Sequence, residues 1–232
     1  MNCLITNQQL MITGGLGLLF ILVSMRMDCQ VVTPTRLPDD FKRAGMALQL
    51  SGTREDVLTT LSPQNGQIRT ELQAGISMDF LLILSYTGFL VALSVVLSQV
   101  NRPLARWLGP LAAILIVGAA AFDFTENCRM LQVLSMPIDQ ITDAAASGIR
   151  MASLVKWTLL FLTIGVQSII FLKLMNVYSL FGIAMLAAAI TGLIGLRFHQ
   201  LITPASIGFG VAVLVLSFVF LFKPDKFLQA VC

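Results

Sequence analysis

The sequence predicts an all-α fold: a polytopic membrane helix bundle of about six transmembrane helices with a small helical cap. Three observations predict it. Apolar residues make up 56% of the 232 and charged ones only 12%, about half the charge of an average soluble domain. The apolar residues gather into six runs at or near the roughly 20 residues needed to cross about 30 Å of hydrocarbon. One long polar stretch interrupts them, and its apolar residues recur at helical spacing. No soluble core of this length could bury so much apolar surface, whereas lipid solvates it from outside. The runs must be helical, because lipid offers no partner to free backbone N–H and C=O groups.

The first run is Leu10 to Met25, short and softened by Gly14, Gly15 and Gly17. No basic residue precedes it and Arg26-Met27-Asp28 follows, so it reads as a retained helix and not as a cleaved leader. Met27 to Gly75 is the polar stretch, carrying charges of both signs. Leu37, Phe41, Ala44, Gly45 and Leu48 fall at helical spacing, and Thr53 with Asp56 three residues on reads as an N-cap before Val57, Leu58 and Leu61. Pro63 and Asn65-Gly66 then break the chain. Residues 27–75 are therefore expected to form two or three short helices capping one face of a single integral membrane domain spanning 1–232. The second run is Ile76 to Val100, with Asp79 its one charge. Asn101-Arg102-Pro103 makes a tight turn, and Pro103 suits the first position of a helix. The third run goes from near Trp107 to about Met130, the fourth from about Leu154 to Leu174, the fifth from Ser179 to Leu196, and the sixth from Ala205 to Phe222. A further stripe, Ile138, Ile141, Ala145 and Ile149, is expected along the interface before the fourth span. The glycines of the first run, with Gly192 and Gly195, are read as permitting close helix approach.

Several function classes are excluded or disfavoured. A net charge of +3, with no basic stripe interleaved with aromatics, speaks against nucleic acid as a partner. The four cysteines stand at positions 3, 29, 128 and 232 beside a single histidine, which points to no metal site and no cofactor. His199, next to Arg197 and Phe198 at a span end, reads as an interface residue. No phosphate-binding glycine loop and no serine-nucleophile elbow occurs.

The chemistry-bearing residues collect at one depth. Asp79 lies 22 residues before Asn101 and Asp123 lies 22 after it, so an antiparallel hairpin sets both roughly 33 Å from the turn, on the cap face. Asp123, Glu126 and Asn127 share one helix face at i, i+3 and i+4. Lys156 opens the fourth span on the same face, and Arg129 is placed to pair with Glu126. A carboxylate near hydrocarbon is costly without a partner. Asp79, Asp123, Glu126, Asn127 and Lys156 are therefore expected to form one polar cluster under the cap, and they are the candidate ligand-binding residues. The competing reading has these charges only anchoring span ends at the interface.

Asp79-Phe80 at the head of a span, Asp123-x-x-Glu126-Asn127 at the end of the next, and Lys156-Trp157 at the head of the fourth resemble a pattern in uncharacterised bacterial multi-pass membrane proteins. The resemblance covers roughly residues 38 to 160 and implies no substrate and no reaction. Three functions stay open: binding or passing a small polar, cationic or amphiphilic ligand at the carboxylate/lysine cluster; an enzyme acting on a lipid-like substrate with paired carboxylates; and a structural or accessory subunit of a membrane complex. The expected surroundings are the lipid bilayer of a bacterial inner (cytoplasmic) membrane, with a homo-oligomer or membrane-complex partner. The basic turns at Arg102 and Arg106, at Lys173, and at Lys223 and Lys226 favour cytoplasmic termini and an external cap, although the basic residues of the cap face weigh the other way. An external cap would let Cys29 and Cys128 form a disulfide.

Overall fold

The apolar runs fold as helices, and so does most of the polar stretch between the first two. The computed structural model describes residues 4–28, 37, 41, 43–61 and 68–231. Among these lie nine α-helices and no strand: α1 (Asn7–Asp28), α2 (Ala44–Leu50), α3 (Arg54–Thr60), α4 (Ile68–Ser98), α5 (Pro103–Ser135), α6 (Asp143–Leu172), α7 (Ser179–Gly195), α8 (Ile202–Phe222) and α9 (Pro224–Val231). Short 3-10 turns, Ile138–Gln140 and His199–Leu201, precede α6 and α8. The protein is an all-α helix bundle.

Five of these helices, α1, α4, α5, α6 and α8, are long and apolar enough to cross a membrane. The fifth apolar run forms the 17-residue α7, which extends only about 25 Å, short of the roughly 30 Å of a hydrocarbon core. Three helices overrun the boundaries that hydropathy suggests. The second apolar helix starts at Ile68 instead of Ile76, so the last residues of the expected 27–75 cap are its first two turns. The third runs on to Ser135, and the fourth starts at Asp143. The extensions of α4 and α6 carry charges, which hide them from a hydropathy reading, while that of α5 is uncharged; each contributes residues to one packed core. Helix α9 went unanticipated.

The chain divides into two compact units. The first comprises Met1–Leu22, Leu84–Ala119 and Trp157–Cys232. Its exposed side chains include large apolar ones such as Leu84, Ile114, Ile183 and Ile207. Gln167 Nε2 donates to the Leu90 carbonyl at 3.0 Å and to Ser94 Oγ at 2.9 Å, tying α6 to α4 through buried polar atoms. Phe227 of α9 is fully buried, with ring centroids 5.0 Å from Tyr178 and 4.9 Å from Phe220. The glycines expected at close helix contacts mostly sit at them. A Cβ on Gly14 would meet Leu221 and the Ser217 carbonyl at 2.9 Å, and one on Gly17 or Gly192 would strike Ser217 or Phe161. A Cβ on Gly195 would lie 2.9 Å from Ile202. Gly15 is the exception, with open space beside it.

The second unit comprises Val23–Ile83 and Ala120–Lys156, and it contains the cap. Its core joins Ala44 and Leu48 of α2, Val57 and Leu61 of the α3 segment, Ile68 and Ile76 of α4, Met130, Val133 and Leu134 of α5, and Ile141, Ala146 and Ile149 at the start of α6. Of the stripe assigned to the interface, Ile141 and Ile149 are buried in this core, Ala145 packs against it half-buried, and Ile138 is exposed. The Thr53 signal is an N-cap. Its side chain accepts from the Asp56 N–H at 3.2 Å while Asp56 Oδ2 accepts from the Thr53 N–H at 3.2 Å, a reciprocal capping box. Two arginines tie this unit together, one from the cap and one from the start of α4. Arg54 donates from its backbone N–H to Asp143 Oδ1 at 2.7 Å and from Nε to the Ile141 carbonyl at 2.8 Å. Arg69 Nη1 reaches the Leu134 and Met136 carbonyls at 3.1 and 2.9 Å, satisfying the free C-terminal end of α5. Thr53→Ala is expected to destabilise the cap by about 1 kcal/mol, read as faster hydrogen exchange over residues 53–60 with the exchange of α8 unchanged. Helix α2 begins only at Ala44, and Leu37 and Phe41 are not helical. Cys29 lies outside the described residues; Cys128 is exposed and free.

Candidate functional site

Three long helices bring the candidate residues together inside the second unit. Asp79 stands on α4, Asp123, Glu126 and Asn127 on one face of α5, and Lys156 on α6. The arrangement is two linked groups. In the first, Lys156 Nζ lies 3.0 Å from Asp123 Oδ1 and 2.9 and 2.8 Å from Glu126 Oε1 and Oε2. Oε1 accepts a directed hydrogen bond, and Oε2 is held by charge. Lys156, Asp123 and Glu126 are all buried. In the second, Asn127 Nδ2 donates to Asp79 Oδ2 at 2.7 Å. Asp79 lies close enough to Asp123 and Lys156 to feel both charges. The rings of Phe80 and Phe124, whose centroids are 5.2 Å apart, pack α4 against α5 beside the cluster.

The structure sharpens these expectations and overturns one pairing. Lys156 heads the fourth apolar run but not its helix; it stands roughly 20 Å inside α6, because the helix begins at Asp143. Glu126 pairs with Lys156 and not with Arg129, whose guanidinium instead lies over Gly148. The hairpin reasoning places Asp79 on the correct face but a turn off: its direct bond is to Asn127, four residues beyond Asp123.

Lys156 is embedded. Its ammonium fills the space between Asp123 and Glu126 where a cation would otherwise sit, and among the described residues no three of His, Cys, Asp and Glu are placed to share a metal ion. The open side of the cluster is at Asp79 and Asn127. Both line a cavity of about 340 Å³ between α2, α4 and α5, a volume at the lower end of the usual range for small-molecule sites. Its walls are largely apolar, with Met46, Ile68, Leu72, Ile76 and Met130, and Met27 of α1 also lines it. Gly45 and Gly75 also line it, and a Cβ on either would project into open space.

Gln49 and Glu71 line the same cavity, and the sequence reading passed over both. A signal existed: Glu71, Gly75 and Asp79 recur at i, i+4 and i+8, one face of a helix. It was masked because Glu71 falls in the stretch whose charges marked it as cap.

Comparison of the chain with known protein families, characterised proteins and solved structures yields no match.

Proposed function

We propose that this chain is a multi-pass integral membrane protein, of a bacterial inner membrane, that binds a small polar, cationic or amphiphilic ligand beneath its cap. The membrane assignment is supported by five helices of spanning length and by large apolar side chains exposed along them, which lipid tolerates and water does not. The binding assignment rests on the cavity that reaches Asp79 and Asn127. The adjoining ion cluster is satisfied internally through Lys156, so its role is to hold α5 and α6 in place, while Asp79 and Asn127 present polar atoms to the occupant.

Gly75→Leu tests the assignment. The new side chain projects into the cavity from a helical position with nothing beside it, so the helix is kept while the space is filled. Wild-type protein in nanodiscs should show a rise in melting temperature with at least one short-chain amphiphile from a set with cationic, anionic and neutral heads. Gly75→Leu should melt normally and lose that rise. A wild type indifferent to the whole set, or an equal rise in the variant, counts against the site.

A membrane enzyme acting on a lipid-like substrate is the second reading. Glu71 and Asp79 line one cavity in unlike surroundings, the first without a partner at Oε2 and the second bonded to Asn127, and unlike surroundings are what separate an acid from a base. It requires that a bound amphiphile be consumed and not released unchanged.

A further inference from the structure

Three buried side-chain atoms in the described cavity wall have no hydrogen-bond partner, and all three are acceptor oxygens. Gln49 Oε1 on α2, Glu71 Oε2 on α4 and Asn127 Oδ1 on α5 are each buried without a hydrogen-bond partner, and all three residues line the cavity. Asn127 is only 1% exposed. Its amide nitrogen is committed to Asp79, and a carboxylate accepts only, so its oxygen is left over. Buried polar atoms in folded proteins nearly always have a partner, and leaving an acceptor unpaired is destabilising. Three such acceptors from three helices around one cavity call for an occupant that donates.

Charge narrows the choice. Glu71 and Asp79 bring two carboxyl groups to the lining, and among the described residues its one cation, Arg43, is solvent-exposed and has an interaction of its own. A carboxylate, phosphate or sulfate head would face these acids and leave every acceptor unpaired. A quaternary ammonium would supply charge without a donor, and a sugar or polyol donors without charge. A primary ammonium supplies both, with three N–H groups on one compact cation. The rest of the cavity is apolar and rich in methionine, namely Met27, Met46 and Met130, whose side chains adapt to a variable hydrocarbon body. We propose that the ligand is an amphiphilic primary amine, its ammonium held by Gln49, Glu71 and Asn127 and its hydrocarbon part against the methionine and aliphatic wall. This rests on the ligand-binding reading of the cavity and adds the chemical class of its occupant.

Calorimetric titration of the full chain in phosphatidylcholine nanodiscs tests it, with empty nanodiscs subtracted to remove partitioning. The probes are hexylamine, hexyltrimethylammonium, hexyl glucoside and hexanoate. Hexylamine should bind about tenfold or more tightly than each of the others, the margin expected of a hydrogen bond to a charged group. Glu71→Gln and Gln49→Leu should each weaken it by a similar factor with unchanged melting; Gly75→Leu should abolish it. Equal affinity for hexylamine and its trimethyl analogue overturns the donor argument. Preference for the glucoside or hexanoate, lost in Gly75→Leu, overturns the amine while leaving the cavity a binding site. Binding of none of the four overturns the amine assignment and removes support from the binding site as well.

Discussion

Lys156→Met is expected to destabilise the protein by about 3–5 kcal/mol, the cost of removing one member of a buried ion pair and stranding the other. Here two carboxyl groups lose the ammonium, since Asp123 and Glu126 both hold it and both are buried. The loss is charge isolation and not lost packing, because methionine keeps most of the lysine stem. Neutralising the partners should therefore reverse it: Lys156→Met combined with Asp123→Asn and Glu126→Gln should regain most of the stability. Unfolding followed by denaturant in mixed micelles measures both variants. A single variant as stable as wild type, or a triple variant no better than the single, would show that the cluster does not hold α5 to α6. The same comparison separates scaffold from site. Substitutions at Lys156 should move stability first, whereas Glu71→Gln, away from the ion cluster, should move binding alone.

Gly109→Leu should be at least as damaging to the first unit. A Cβ at Gly109 would lie 2.7 Å from the Ser94 carbonyl oxygen and 2.8 Å from the Ser98 Cα. Both are backbone atoms of α4, so no rotamer change can make room, and α4 and α5 must separate at this point. Overpacking that flexible side chains can absorb costs about 1–3 kcal/mol, and a backbone clash exceeds it. Gly15→Leu and Gly208→Leu make matched controls, since neither position has an atom within 4 Å of a new Cβ. In nanodiscs the controls should melt within a few degrees of wild type, and Gly109→Leu should fail to give a monodisperse particle or melt far lower. A well-folded Gly109→Leu would mean that the two helices do not meet at this glycine.

Much of the candidate site was legible because membrane chemistry restricts charge so strongly. A carboxylate inside an apolar helix needs a partner, and antiparallel helices of known rise constrain which residues share a depth. Those two rules sufficed to gather Asp79, Asp123, Glu126, Asn127 and Lys156. They could not assign pairs. Depth along a helix comes from residue count, but azimuth comes from how each helix rotates against its neighbours. That is why Arg129, one turn from Glu126, turned instead to Gly148, and why Asp79 bonded Asn127 instead of standing level with Asp123. Gln49 and Glu71 escaped notice for a related reason. Each is a polar residue in a polar stretch; the spacing of Glu71 from Asp79 has meaning only once the stretch is known to be the start of α4, and Gln49 is distinguished by the cavity it lines with them.

Composition and periodicity alone determined that the chain is helical, where its apolar segments lie and that a capped helix starts at Thr53, because these depend on hydrophobicity, helix pitch and hydrogen bonds between near neighbours in sequence. Tertiary structure decided how far the long helices extend. Ile68 and Leu72 extend α4 past its apolar run by packing on the cap, and Arg69 fixes that extension to carbonyls more than sixty positions further on, at the end of α5. Tertiary structure also made the cavity, since an empty space belongs to no residue and exists only where α2, α4 and α5 fail to fill the volume between them.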